Sequence, residues 1–291
     1  MRATEADLMR DSSRPLTGPG AKLIFATLVL AFFGAAFLLK TPQQAWLLLP
    51  TEAPIEETEE LIVEVPDFSA IQDVDTKKRV FFDFLQPFVD AENNRIHEKR
   101  LRLRDLITKI EQGVALARND RMFIRELAQE YELETESYTD QSFLSRLLRR
   151  VDVIPPSLVL AQAANESAWG TSRFAQEANN FFGQWCYSEG CGLVPKRRRA
   201  SARHEVKAFD SIKDAVTAYF ININTFPSYL DLRLIRESLR ENAKPIDGIS
   251  LTNGLGSYSE RGEDYIDELQ SMIYYNQLLE RDSALTQQSL D

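Results

Sequence analysis

Glu166 and the residues spaced around it are the strongest candidates for chemistry in this sequence. Gln162, Glu166 and Trp169 stand four and three residues apart, so on a helix they share one side, and a carboxyl lies beside an indole. An ordinary glutamate, with a pKa of about 4.3, is ionised at neutral pH. Against an apolar wall, and at a helix C-terminus where the dipole opposes a negative charge, its pKa moves toward ~6 and it can act as a general acid. Trp169 and Phe181 are the residues expected to form that wall. A glycosidic bond is one that needs such an acid, because its bridging oxygen must be protonated as the C–O bond stretches.

Other chemistries find less support. The two histidines, His97 and His204, and the two cysteines, Cys186 and Cys191, lack metal-ligand spacing, so no metal and no cofactor is expected. Pairing Cys186 or Ser167 with His204 as a nucleophile has no third residue to orient the imidazole. In an oxidising compartment Cys186 and Cys191 can close a short disulfide loop.

The elements that position Glu166 begin at Pro155-Pro156, which suit a first helical turn. The helix is expected from Leu158 to about Ala168, to stop at Gly170, and to be followed by a short helix capped by Thr171 and running to Ala178. Asn179 to Gly183 ends the pair. Short strands around Gly192–Lys196 and His204–Phe209 suggest a hairpin, and helical patterns return over 211–223, 229–241 and about 261–279. Before this region lie helical patterns over about 75–112, which Pro87 should kink or break, and over 121–131 and 141–150.

The N-terminal third reads differently. Leu23 to Leu39 is 17 residues without a charge between Lys22 and Lys40, about 26 Å as a helix, at the short end of a membrane span. A cleaved signal peptide is the alternative, although the run exceeds the usual apolar core of one and no small-residue cleavage site follows. Arg2, Arg10, Arg14 and Lys22 precede the run, whereas nine acidic residues and no Lys or Arg lie in Thr41–Thr76, so the C-terminal part is expected outside. The divisions are a cytoplasmic 1–22, a transmembrane helix 23–39, an acidic linker 40–74, a helical extension 75–150, a catalytic domain 151–279 and a tail 280–291. At a net charge of -10, with 44% hydrophobic and 27% charged residues, nucleic acid is not an expected partner.

The stretch Ala161–Trp185, AQAANESAWGTSRFAQEANNFFGQW, resembles the signature of the glucosaminidase family, glycoside hydrolase family 73, which reads A-Q-A-x-x-E-S-x-W-G and then N-N-x-F-G. Lys207–Arg233 and Tyr258–Ile273 resemble its later helices, and within the family the chain resembles the Bax proteins of Gram-negative bacteria. The resemblance implies an α+β, mostly α, lysozyme-like domain with a small β-hairpin lobe. It also implies a peptidoglycan hydrolase that cleaves the N-acetylglucosaminyl bond, anchored to the bacterial inner membrane with its catalytic domain in the periplasm.

By that resemblance Glu166 is the general acid and Tyr258 steadies the substrate. A second carboxylate, expected on the hairpin, falls on Glu205, with Glu189 behind it. Gln162, Trp169, Asn180, Phe181, Trp185 and Tyr187 are the expected substrate contacts, and glycan strands of peptidoglycan the expected partner. Inverting, retaining and substrate-assisted routes all remain open, as do a lytic transglycosylase and a non-catalytic wall-binding module. The basic run from Lys196 to Arg199, with Arg203, reads as a solvated hairpin tip or as an attractor of wall carboxylates.

Overall fold

A computed structural model describes residues 63–134, 137–196, 198, 203–256, 261–283 and 285. The apolar run 23–39, Tyr258, Arg197 and Arg199 lie outside the described residues. No helix among the described residues is long and apolar enough to cross a membrane. The fold is mostly helical with one small antiparallel sheet.

Its centre is α4 (Pro156–Ser167), in which every residue from Pro156 to Ala164 is buried. A helix that is apolar all round must be covered all round. Around it stand α1 (Val74–Glu111), α8 (Gly248–Thr252), α9 (Glu263–Tyr275) and a 3₁₀ turn at Leu278–Asp282. The remaining helices are α2 (Arg118–Glu130), α3 (Gln141–Arg150), α5 (Arg173–Ala178), α6 (Ile212–Thr225) and α7 (Leu230–Glu241).

The sequence divides at residue 150, but the core does not. Phe81, Phe82 and Leu85 of α1 share one apolar cluster with Leu158, Phe181 and Phe220. α1 starts where Asp73 accepts from the Thr76 N–H at 2.8 Å, and it runs through Pro87 without a break. Proline forfeits one backbone hydrogen bond there, and Leu85 and Val89, buried on either side of it, hold the helix together. The acidic stretch read as a linker to residue 74 also ends in the core. Phe68 is fully buried, and a Cβ on Gly170 would stand 2.4 Å from its ring, so only glycine admits it there.

A buried ion cluster ties these layers together. Asp152, just ahead of α4, is paired with Arg240 at 2.6 Å, Arg100 at 3.2 Å and Arg236 at 3.6 Å. Burial alone would raise the Asp152 pKa, but three guanidinia hold it at about 2. Asn93 of α1 adds a reciprocal pair of 2.9 Å bonds with the Ile154 backbone. The chain entering α4 is therefore fixed from α1 and α7 together.

The N-terminus of α4 has no side-chain cap of its own. Asp282 supplies one from far along the chain, accepting from Ser157 N at 2.8 Å and Ser157 Oγ at 2.6 Å. Gly248 is glycine because a Cβ would meet Ser157 Oγ at 2.2 Å. Burial pushes the Asp282 carboxyl up to about 6, with the Asp247 charge adding to the rise and the Ser157 bonds opposing it. A carboxyl raised in the fold stabilises while protonated, and that contribution is lost as pH climbs from about 4 to about 6. Asp282→Asn removes the titration. Its stability relative to wild type should therefore rise by about 2.5 kcal/mol between pH 4 and pH 7 in denaturant titrations. A pH-independent difference would contradict the reading.

Candidate active site

The last turn of α4 is the part that emerges from the core: Asn165 is half-buried and Glu166 exposed, while Ser167 is buried. Ser167 locks the exit, its Oγ donating to Ala163 O at 2.6 Å and accepting from Gly170 N at 2.8 Å. Ala168 and Trp169 both take left-handed backbone, which costs energy outside glycine. This double turn corrects the expected side of Trp169. Because the helix ends at Ser167, the indole swings away and packs edge-on against Phe81 and Phe82 of α1.

Phe181 is not the expected sugar contact. It is fully buried, with Phe81 and Phe84 as ring neighbours, so no sugar can stack on it. Two tyrosines missed in the sequence neighbour Glu166 instead. Tyr265 of α9 donates its hydroxyl to Glu166 Oε1 at 3.1 Å. Burial, then the nearby Glu166 charge, push the Tyr265 phenol upward, so it stays a donor. The Tyr229 phenol is pushed up to about 12 by burial, which a bond with Asn222 opposes and the Glu166 charge augments.

Behind Tyr265 lies a buried polar chain. Gln162 donates from Nε2 to Tyr265 Oη at 3.1 Å and accepts at Oε1 from the Tyr219 hydroxyl at 2.5 Å. Tyr219 is held by a stacked Phe182 ring, 4.2 Å away and 20° from parallel. Gln162 is fully buried, so it orients the carboxyl through Tyr265 rather than meeting a substrate. Glu166 Oε2 lies on the side of Gly183, where an added Cβ would stand 3.5 Å from it. One carboxyl oxygen thus accepts from a phenol, and the other lies toward Gly183.

Asn180 builds that turn. Its side chain donates to Gln184 O and Lys207 O at 2.9 and 2.8 Å and accepts from Phe182 N and Gln184 N at 3.3 and 3.0 Å. With its donors and acceptor committed, this buried amide is a brace rather than the expected substrate contact. It joins the end of α5 to the sheet, whose strands are β1 (Trp185–Cys186), β2 (Gly192–Leu193) and β3 (Glu205–Lys207), in the order β1-β3-β2. β2 and β3 are the expected hairpin, shortened. β1 pairs on the other edge of β3, with Trp185 opposite Val206 and Cys186 opposite Glu205.

Cys186 and Cys191 form a disulfide. Glu205 sits beneath it, buried, accepting from Gly190 N at 3.2 Å and Gly192 N at 2.9 Å. One of its carboxylate oxygens lies within 4.8 Å of both sulfurs, which are committed to each other. Glu205 is buried and engaged by two backbone donors, which suits a brace of the loop better than a base open to water. Glu189 is exposed. Of the aromatic contacts expected, Trp185 and Tyr187 are accessible, at 56% and 74% exposure. The Trp185 ring stacks on His204 at 4.1 Å and 12°.

Against this geometry, the comparisons with known proteins are consistent in direction. The family model for glucosaminidase, described as mannosyl-glycoprotein endo-beta-N-acetylglucosaminidase, matches residues 141–278. The chain is 31% identical over 215 residues to protein bax of Escherichia coli (strain K12), covering 74% of this chain and 75% of that one. No solved structure gives a significant match.

The bracing role of Glu205 has a direct consequence. Glu205→Ala leaves two N–H groups of the disulfide loop without acceptors, at about 1–2 kcal/mol. Dithiothreitol should then reduce Cys186–Cys191 about tenfold faster, as read by alkylation and mass spectrometry. An unchanged rate would show that the loop does not lean on this carboxylate.

Proposed function

Because the chain belongs to the glucosaminidase family of glycosidases, we propose that it hydrolyses the N-acetylglucosaminyl bond of peptidoglycan with Glu166 as the general acid. The observation that carries this reading is the Tyr265–Glu166 bond. With Oε1 accepting from Tyr265, Oε2, the oxygen on the side of Gly183, is the one from which Glu166 in its acid form would hand a proton to a glycosidic oxygen. Donor and acceptor are then aligned before the bond begins to break.

Glu205 weakens the case for a second enzymic carboxylate, since both its oxygens serve backbone donors. That favours a route in which the substrate's own N-acetyl group attacks the anomeric carbon, leaving Glu166 as the sole essential carboxyl. The same constraint favours one rival, a lytic transglycosylase, which also needs a single acid. Tyr258, seven residues before Tyr265, remains our candidate for steadying the N-acetyl group. We further propose a single-pass anchor at 23–39 in the bacterial inner membrane, with the C-terminal part, including the catalytic domain, in the periplasm. Supporting it are the uncharged run, the cations ahead of it and the disulfide.

Purified sacculi digested with the protein should yield fragments with reducing-end N-acetylglucosamine by mass spectrometry. Glu166→Gln should lower the rate at least ~1000-fold while leaving the thermal midpoint unchanged, because Glu166 is exposed. Anhydro-sugar ends would replace the hydrolase by a transglycosylase, and full activity in the variant would remove Glu166 from the chemistry.

A further inference from the structure

Two stacked rings, Trp185 and His204, stand on the sheet beside the acid. Trp185 follows Gly183, the residue toward which Glu166 Oε2 lies, by two positions, so its backbone is at most ~7 Å from that of Gly183. The chain between them is held by its neighbours. Asn180 bonds both the N–H and the carbonyl of Gln184, and Lys207 N of β3 donates to the same carbonyl at 2.9 Å. The Gln184 side chain donates to Ala215 O of α6 at 3.0 Å, and Trp185 pairs with Val206 across the β1–β3 ladder.

The ring is held as well as the backbone. The His204 imidazole lies 4.1 Å from the indole and 12° from parallel, so it covers one face of Trp185. The residue is nevertheless 56% exposed, and that exposure belongs to the other face and the edges. His204 is anchored by its own strand, where its carbonyl accepts from Arg198 at 3.2 Å and Glu205, next in the chain, braces the disulfide loop. Its imidazole has no thiol to activate, because Cys186 is bonded to Cys191. What the imidazole does is back the indole with a second flat ring. Pyranose rings present apolar C–H faces that pack on aromatic faces, and an indole already held in place spares the ordering cost of binding one.

We propose that His204 is a positioning residue, whose imidazole backs Trp185 and keeps the indole's free face ready for an N-acetylhexosamine of the glycan strand bound next to Glu166. The inference rests on the reading of Glu166 as the acid and gives the histidine a part in that site. His204 acts through Trp185, and no bond to either ring is made or broken.

The test uses the full chain and an N-acetylglucosamine-containing octasaccharide of the glycan strand. His204→Ala should raise KM about fivefold with kcat kept, and His204→Phe, which restores a flat ring, should return KM to within about twofold of wild type. Trp185→Ala should raise KM about tenfold, and adding His204→Ala to it should change nothing further, because the histidine then has nothing to position. An unchanged KM in His204→Ala, a loss in kcat instead, no rescue by phenylalanine, or a further loss in the double variant would overturn the inference while hydrolysis by Glu166 stood. Binding of the octasaccharide to Glu166→Gln, alone and combined with each His204 substitution, judges the platform without turnover. If wild type cleaved nothing, about fivefold weaker binding with alanine and recovery with phenylalanine would still support the positioning role, and equal affinities would overturn it.

Discussion

A helix with no solvent face governs this structure. α4 is buried along its first nine residues, and every layer around it follows from the need to cover them. α1 covers one side with phenylalanines, α8 and α9 cover others, and Asp282 closes the N-terminal end where the backbone donors would otherwise go unpaired. The C-terminal turn alone reaches water, and Glu166 is on it. The position of the carboxyl is thus set by burial of the residues before it, not by a mobile loop.

The same burial explains the polar residues that look misplaced. Gln162 sits in the middle of an apolar helix, and an unpaired amide there would cost 1–3 kcal/mol or more. Tyr219 and Tyr265 meet that demand from α6 and α9, and Tyr265 passes it on to Glu166. A requirement of the core therefore orients a group at the surface. Asn180 and Glu205 do similar work nearby, spending their side chains on backbone donors and acceptors to hold the Gly183 turn and the disulfide loop in place. The ion cluster at Asp152 anchors the other end, joining α1 and α7 at the entry to α4.

Much of this was legible in the sequence. The two prolines that open α4, the periodicity of α3 and α6, and the disulfide all follow from local rules. Gln162 on an apolar helix and Tyr219 on an apolar face were a visible signal, since each polar atom needs a buried partner. What escaped was decided by tertiary context. Trp169 was set beside Glu166 because helical spacing was carried two residues too far, across consecutive left-handed residues. Ser172, not Thr171, caps α5, a shift of one residue that either side chain satisfies chemically. β1 is two residues long and forms only because β3 lies beside it. Phe68 reads as part of an acidic linker, and nothing local says that Gly170 leaves a place for its ring. Asp282 lies beyond the last strong pattern, and its partner is 125 residues away.

The account's centre is that Glu166 delivers a proton to the departing sugar oxygen. A general acid matters most for a poor leaving group and little for one that departs as a stable anion. The direct measurement is kcat/KM for wild type and Glu166→Gln on matched N-acetylglucosaminides, one with a sugar leaving group and one with dinitrophenolate. The variant should lose about a thousandfold or more on the first and less than about tenfold on the second. Equal losses on both would contradict the account.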